Sequence, residues 1–149
     1  MEYRIATVSD CEALTCIRMQ MRKELDTDFS EEKLYANTFD FFQRNIRSGT
    51  HIAFICEDAG QIIATAGITL FEIMPTAKLI NGKAARLMNM YVAPSYRNKG
   101  IAKELLNCAI AYAKEHQIGK VMLNPSKMGE SLYKNYGFQL NLNEYDYYI

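Results

Sequence analysis

Six consecutive residues, Arg97-Asn98-Lys99-Gly100-Ile101-Ala102, carry the clearest chemistry in this chain. Arg97 and Lys99 place two full positive charges beside a glycine, just where a helical pattern begins. A helix start presents unpaired backbone N–H groups and a partial positive charge, and both suit a phosphate. Gly100 removes a side chain, so that an anion can approach the main chain. On these residues alone two readings stand: a phosphate cradle, or a basic turn that precedes a core helix. Arg18 and Arg22 form a second candidate set, one turn apart on a helix flank. They suit a carboxylate or phosphate on a ligand, or else simply face solvent. Asn89 is a third polar candidate on the ligand side, with Tyr148.

These residues need elements to hold them. Leu87 to Val92 is a compact apolar strand that Pro94 stops, because proline cannot extend a ladder. From Ile101 the apolar residues Ile101, Leu105, Ala109 and Tyr112, flanked by Ala102, Leu106, Ile110 and Ala113, make one broad helical stripe. The basic loop therefore joins a strand to an amphipathic helix. Upstream, residues 2–8 are expected as a first strand. Ser9-Asp10-Cys11-Glu12 has capping-box spacing and opens a helix burying Leu14, Ile17, Met21 and Leu25. A second helix follows Ser30, with Glu31 and Glu32 in its first turn and Leu34, Tyr35, Thr38, Phe39, Phe42 and Ile46 along one stripe, until Ser48-Gly49 ends it.

His51 to Cys56 and Gln61 to Phe71 read as a hairpin, and Asn81-Gly82 turns the chain into the strand that ends at Val92. Lys120 to Leu123 is a short strand, Met128 to Tyr136 a brief helix capped by Gly137, and Phe138 to Ile149 one or two closing strands. The expected order is β-α-α-β-β-β-α-β-α-β-β in a single domain, residues 1–149. The strands flanking the long helix should be parallel, with a right-handed crossover.

Composition narrows the function. The 149 residues are 49% apolar and 23% charged, ordinary for a globular protein with its own core. Net charge is zero, which argues against a nucleic-acid partner. No apolar run is long enough to span a membrane and the N-terminus has no signal-peptide core, so a cytoplasmic protein is expected. Cys11, Cys16, Cys56 and Cys108 lack metal-type spacing and read as buried reduced thiols, so no metal is expected. His51 has no Ser or Asp pattern around it to suggest a hydrolase triad, and His116 reads as structural.

Three segments together resemble the GNAT superfamily of acetyl-CoA-dependent N-acetyltransferases. Met90-Tyr91-Val92-Ala93-Pro94 is similar to its central strand, and residues 97–102 match its pyrophosphate loop, Arg/Gln-x-x-Gly-x-Gly/Ala. Ser131-Leu132-Tyr133-Lys134-Asn135-Tyr136-Gly137-Phe138 resembles its LYxxxGF motif. The resemblance implies an α/β (α+β) fold with a mixed, mostly antiparallel sheet, a splayed parallel strand pair and helices on both faces. It implies that acetyl-CoA lays its pyrophosphate on Arg97, Asn98, Lys99, Gly100, Ile101, Ala102 and Lys103. The pantetheine arm would run along Met90, Tyr91 and Val92, with the thioester carbonyl near the Val92 N–H, and Ser126, less directly Asn124, would touch the arm.

By the same resemblance Tyr133 is the general acid. A thiolate of pKa about 8.5 and a phenol of about 10 exchange a proton without a steep climb. Tyr136 and Phe138 are packing residues. Several members carry a Glu on the central strand, where this chain has Arg86, so the base stays open between Glu72, Glu24 and an ordered-water route. The implied activity is acetyl transfer to a primary amine, a small molecule or a protein amino group, by direct attack in a ternary complex. The alternatives are a non-catalytic CoA-sensing or protein-interaction domain of the same fold, and a nucleotide-binding α/β domain. The last is opposed by the early hairpins and by the lack of an acidic ribose-binding residue about 20 residues on. The tyrosine-rich tail (Tyr145, Tyr147, Tyr148) leaves a homodimer open.

Overall fold

One five-stranded sheet in the order β1-β2-β3-β4-β5 organises the computed structural model, which describes residues 1–26, 28–142 and 144–149. The strands are β1 (Glu2–Ile5), β2 (His51–Asp58), β3 (Gln61–Glu72), β4 (Lys83–Val92) and β5 (Lys120–Met122). The helices are α1 (Cys11–Leu25), α2 (Glu31–Ser48), α3 (Ile101–Glu115) and α4 (Glu130–Tyr136). The first four strands pair antiparallel, and β4 pairs with β5 in parallel. This is the mixed, mostly antiparallel sheet that the sequence leads one to expect, and a doubly wound parallel sheet is excluded. No helix among the described residues is long and apolar enough to cross a membrane.

Both faces of the sheet are covered, as the residue pattern of β2 requires. Ile52, Phe54 and Cys56 pack with Ile101, Leu105, Leu106 and Ala109 of α3, while Ala53 and Ile55 pack with Leu14 of α1 and Phe42 of α2. Alternation along one strand thus sends successive side chains to opposite helical layers. The α3 stripe is buried as its spacing predicts: Ile101, Leu105, Leu106, Ala109 and Ala113 are all enclosed.

Five local expectations change. The first strand stops at Ile5, and the capping box forms earlier in the chain, from Thr7 to Asp10 instead of Ser9 to Glu12. Thr7 N–H donates to Asp10 Oδ2 at 2.7 Å, and Asp10 N–H donates to Thr7 O at 3.0 Å. Arg4 grips the same Asp10 at 2.8 Å and also holds Glu57 at 2.6 Å, so Asp10 serves a tertiary contact that spacing cannot reveal. Leu25 is 47% exposed rather than buried, and of α2 only Phe42 is fully enclosed. Cys11 and Cys56 are buried thiols, but Cys16 is exposed and Cys108 half-buried.

The tail is the largest correction. Residues 138–142 and 144–149 form no strand, and Leu140, Leu142, Tyr145, Tyr147 and Tyr148 stand open to solvent; Asn143 lies outside the described residues. Alternation marks a potential strand, but a strand needs a ladder to join. The β5 edge offers only three residues for such pairing.

Two features of β3 and β4 shape the site. The register between them slips between Thr65 and Gly67, so that Asn89 and Met90 together face the single residue Ala66. Asn89 takes φ 56°, a left-handed conformation that Asn tolerates better than most residues. This bulge shifts the side-chain alternation by one residue. Met88 therefore lies on the α1–α2 face, Met90 and Val92 pack with the α3 core, and Tyr91 returns to meet Ile17 and Met21 of α1.

Opposite the bulge, the ring of His51 lies directly over Gly67. A Cβ built there would come within 2.6 Å of His51 Cε1 and Nε2. His51 cannot yield, because Nδ1 is 2.8 Å from Thr69 Oγ1 and Phe41 and Phe42 flank the ring at 5.3 and 5.5 Å. Gly67→Ala should therefore cost about 2 kcal/mol or more in denaturant unfolding. His51→Ala in the same chain should recover part of that loss, and strictly additive effects would disprove the contact.

Candidate active site

The cleft begins where β4 and β5 part. Their parallel pairing covers Ala84↔Lys120, Ala85↔Val121 and Arg86↔Met122, and β4 then continues alone to Val92. Arg86 bridges the fork, with Nη2 3.3 Å from Met122 Sδ and Nη1 3.5 Å from Asn124 Oδ1. The free edge of β4 points usable backbone groups into the gap. Ala93 N–H donates to Ile63 O on β3 at 2.9 Å. Successive residues alternate sides, so Val92 N–H faces the open side.

A cavity of about 340 Å³ occupies this gap. Met90, Tyr91 and Val92 form one wall, Ser126, Gly129 and Tyr133 another, and residues 97, 98 and 100–103 close the end. The splay thus gathers the central strand, the basic loop and the α4 motif, which are far apart in sequence, around one space. Leu25 and Met128, apolar yet 47% and 66% exposed, line the same cavity.

The loop has the geometry of an anion cradle. Gly100 adopts φ 81° at the N-cap of α3, and nothing lies within 4 Å of where its Cβ would stand. The first helical bond runs from Glu104 N–H to Gly100 O at 3.1 Å. The N–H groups of residues 101–103 consequently have no acceptor inside the helix.

The charges around this cradle are arranged differently from the sequence reading. Arg97 Nε donates to Val92 O at 3.0 Å, and Nη2 meets Glu24 Oε2 at 2.6 Å. Tyr91 O–H donates to Glu24 Oε1 at 3.1 Å, so Arg97 ties α1 to the end of β4 and its charge is already compensated. Lys99 turns its ammonium over the Tyr96 ring at 5.0 Å and does not line the cavity, whereas Lys103 does.

Tyr133 is buried, and desolvation pushes its hydroxyl up to about 12. It remains a protonated donor at any working pH. Ser126 Oγ accepts the Gly129 N–H at 3.2 Å and shapes the turn into α4. Among the base candidates, the hydrogen bond from Arg97 holds the Glu24 carboxyl below the ordinary range. Glu72 is exposed at the end of β3, and neither it, Asn124 nor Tyr148 lines a described cavity.

A second cavity, about 230 Å³, lies on the α1–α2 side of the same bulge, lined by Arg18, Thr38, Phe41, Phe42, His51 and Asn89, among others. Arg18 and Asn89 are thus brought together, while Arg22 is taken by an ion pair with Asp26 one turn on. The sequence reading set His51 aside, because a lone histidine at a strand start carries no motif. Its only trace was a glycine on the neighbouring β-rich run.

The comparisons with known proteins agree with this geometry. The profile described as Acetyltransferase (GNAT) family matches residues 18–138. A solved structure described as a predicted acetyltransferase with acetyl-CoA, from Clostridium acetobutylicum, superposes with a TM-score of 0.92 at 30% identity, over 99% of this chain and 95% of that one. A GCN5-related N-acetyltransferase from Ralstonia eutropha JMP134 superposes at 0.88 with 26% identity, over 99% and 97%. Glucosamine-6-phosphate N-acetyltransferase from Arabidopsis thaliana, at 20% identity and 0.70 over 99% of both chains, shares the fold. No curated protein sequence matches the chain. This chain belongs to the acetyltransferase (GNAT) family and is an acyltransferase.

Burial lowers the pKa of His51 from 6.5 to about 4. The unfolded chain then binds this proton at higher pH than the folded one. The stabilisation is complete above pH 6.5 and is lost as pH falls toward 4, on the order of 3 kcal/mol in all. The His51 ring signals in NMR should begin to shift only near pH 4, and a ring titrating near 6.5 would contradict the burial argument.

Proposed function

We propose that this protein moves an acetyl group from acetyl-CoA to a primary amine by direct attack in a ternary complex. The observation that carries the reading is the splayed β4 edge ending at an unfilled helix start. The pyrophosphate is taken by the N–H groups at 100–103 with Asn98, Lys103 and the nearby Lys99. Arg97 contributes by fixing this loop to Glu24 rather than by a free charge. The arm lies along Met90, Tyr91 and Val92 and against Ser126, and the exposed apolar Leu25 and Met128 suit such a chain. The acetyl-CoA found in the Clostridium structure supports this donor.

In the reaction the amine nitrogen attacks the thioester carbon, and the Val92 N–H faces the side on which the carbonyl oxygen gains charge. The C–S bond then breaks and the sulfur takes the proton of Tyr133 O–H. Burial raises the pKa of this phenol, yet the same apolar surroundings raise that of the departing thiol, which keeps the two comparable. The nitrogen releases its proton to solvent, and solvent reprotonates Tyr133. A water route fits better than Glu24, whose carboxylate is committed to Arg97 and Tyr91. Holding both reactants in place beside β4 supplies much of the remaining rate.

Thiol release from acetyl-CoA with a panel of amines tests the reading directly. Tyr133→Phe should lower kcat roughly 100-fold with little change in acetyl-CoA affinity, and unchanged kcat would remove Tyr133 from the chemistry. Tight CoA binding without turnover on any amine would overturn the catalytic reading altogether. Gly100→Glu puts a carboxylate into the anion cradle, where no side chain now stands. It should weaken acetyl-CoA binding on the order of 100-fold in calorimetry, and unaltered binding would refute the loop assignment.

A further inference from the structure

The second cavity holds three groups whose needs the protein leaves unmet. His51 is 1% exposed and its Nε2 has no partner among the described residues; Asn89 is 7% exposed and its Oδ1 has none there either. Buried polar atoms are nearly always bonded, so two orphans in one cavity call for a ligand. The third is Arg18, half-buried and without a carboxylate or hydrogen-bond partner among the described residues. Burial and the neighbouring Arg22 both disfavour its charge.

His51 Nδ1 lies 2.8 Å from Thr69 Oγ1, whose other neighbour is Met88 Sδ at 3.6 Å. A neutral imidazole carries one N–H, so Nε2 is an acceptor where Thr69 receives the proton of Nδ1 and a donor where Thr69 gives its own. Asn89 Oδ1 is an acceptor in either case. The cavity is thus lined by one unpaired cation, by the orphaned His51 and Asn89 and by the apolar Phe41, Phe42 and Met88, and no acidic side chain among the described residues lines it.

That set complements a molecule with N–H donors, one negative charge and an apolar body. We propose that this cavity receives the acetyl acceptor, and that the acceptor is a small amine bearing a carboxylate, paired with Arg18 and oriented by His51 Nε2 and Asn89 Oδ1. The inference rests on the acetyltransferase reading above. A carboxylate is favoured over a phosphate because a single guanidinium balances one charge, and Phe41, Phe42 and Met88 offer nothing to a second. The position is suitable, since Asn89 lines this cavity and Met90, its neighbour across one peptide bond, lines the donor cleft. An amine bonded at Asn89 therefore stands next to the strand that carries the thioester.

The test compares leucine, leucinamide, isoamylamine and a peptide with N-terminal leucine as acceptors at saturating acetyl-CoA. Leucine should exceed leucinamide and isoamylamine in kcat/KM by about tenfold or more, the usual worth of one charge-assisted contact. Arg18→Gln should raise KM for leucine by a similar factor, abolish the preference over leucinamide and leave acetyl-CoA binding unchanged. Calorimetry of leucine with the CoA-loaded protein gives a readout without turnover, and binding lost in Arg18→Gln supports the site. Equal or better use of isoamylamine or of the peptide, a preference that survives Arg18→Gln, or a failure of leucine both to bind and to react would each overturn the assignment. Turnover of uncharged amines alone would sink this inference while sparing the acetyltransferase reading, whereas loss of acetyl-CoA binding by the wild type would sink that reading first.

Discussion

Two parallel strands that stay together for three residue pairs and then separate are the constraint on which this structure depends. Paired to its end, β4 would spend its backbone groups on β5 and leave no space between the sheet and α4. Because pairing stops at Arg86 and Met122, the Val92 N–H stays available on the outer edge and a cavity opens beside it. An unpaired strand edge inside a protein is costly unless something completes it. Here an extended ligand can do so, in the manner of strand addition.

The bulge at Asn89 and Met90 is the second half of that design. One extra residue on β4 sends Met88 and Met90 to opposite faces of the sheet, so a single strand supplies a wall to two cavities. Without it Tyr91 would face α3 rather than α1, and the Tyr91–Glu24–Arg97 contacts could not form. Gly67 and His51 accommodate the same region from the α1–α2 side. The glycine has no side chain because the imidazole occupies that volume, and the imidazole is held there by Thr69 and two phenylalanines.

Charge around the cavity beside β4 is distributed by tertiary partners rather than by composition. Arg97, the most prominent cation of its loop, is neutralised by Glu24, 73 residues earlier in the chain. What remains for an anion is mostly main chain: a glycine in the left-handed region and helical N–H groups with no internal acceptor. Such donors are fixed by the helix itself and lose no side-chain entropy on binding.

Residue spacing alone determined the helices, the β2–β3 hairpin, the parallel pair across α3 and the loop-to-helix junction at Gly100, because each follows from local periodicity and turn chemistry. It also marked Tyr133, Val92 and Gly100, which do meet at one cleft. It could not fix Arg97's partner, the Thr7–Asp10 cap or the idle tail, since each depends on what lies across space. Nor could it single out His51, whose significance comes from being buried over a glycine with one nitrogen left unbonded. Local sequence sets which backbone forms; only packing decides which polar groups are satisfied and which are left over for a ligand.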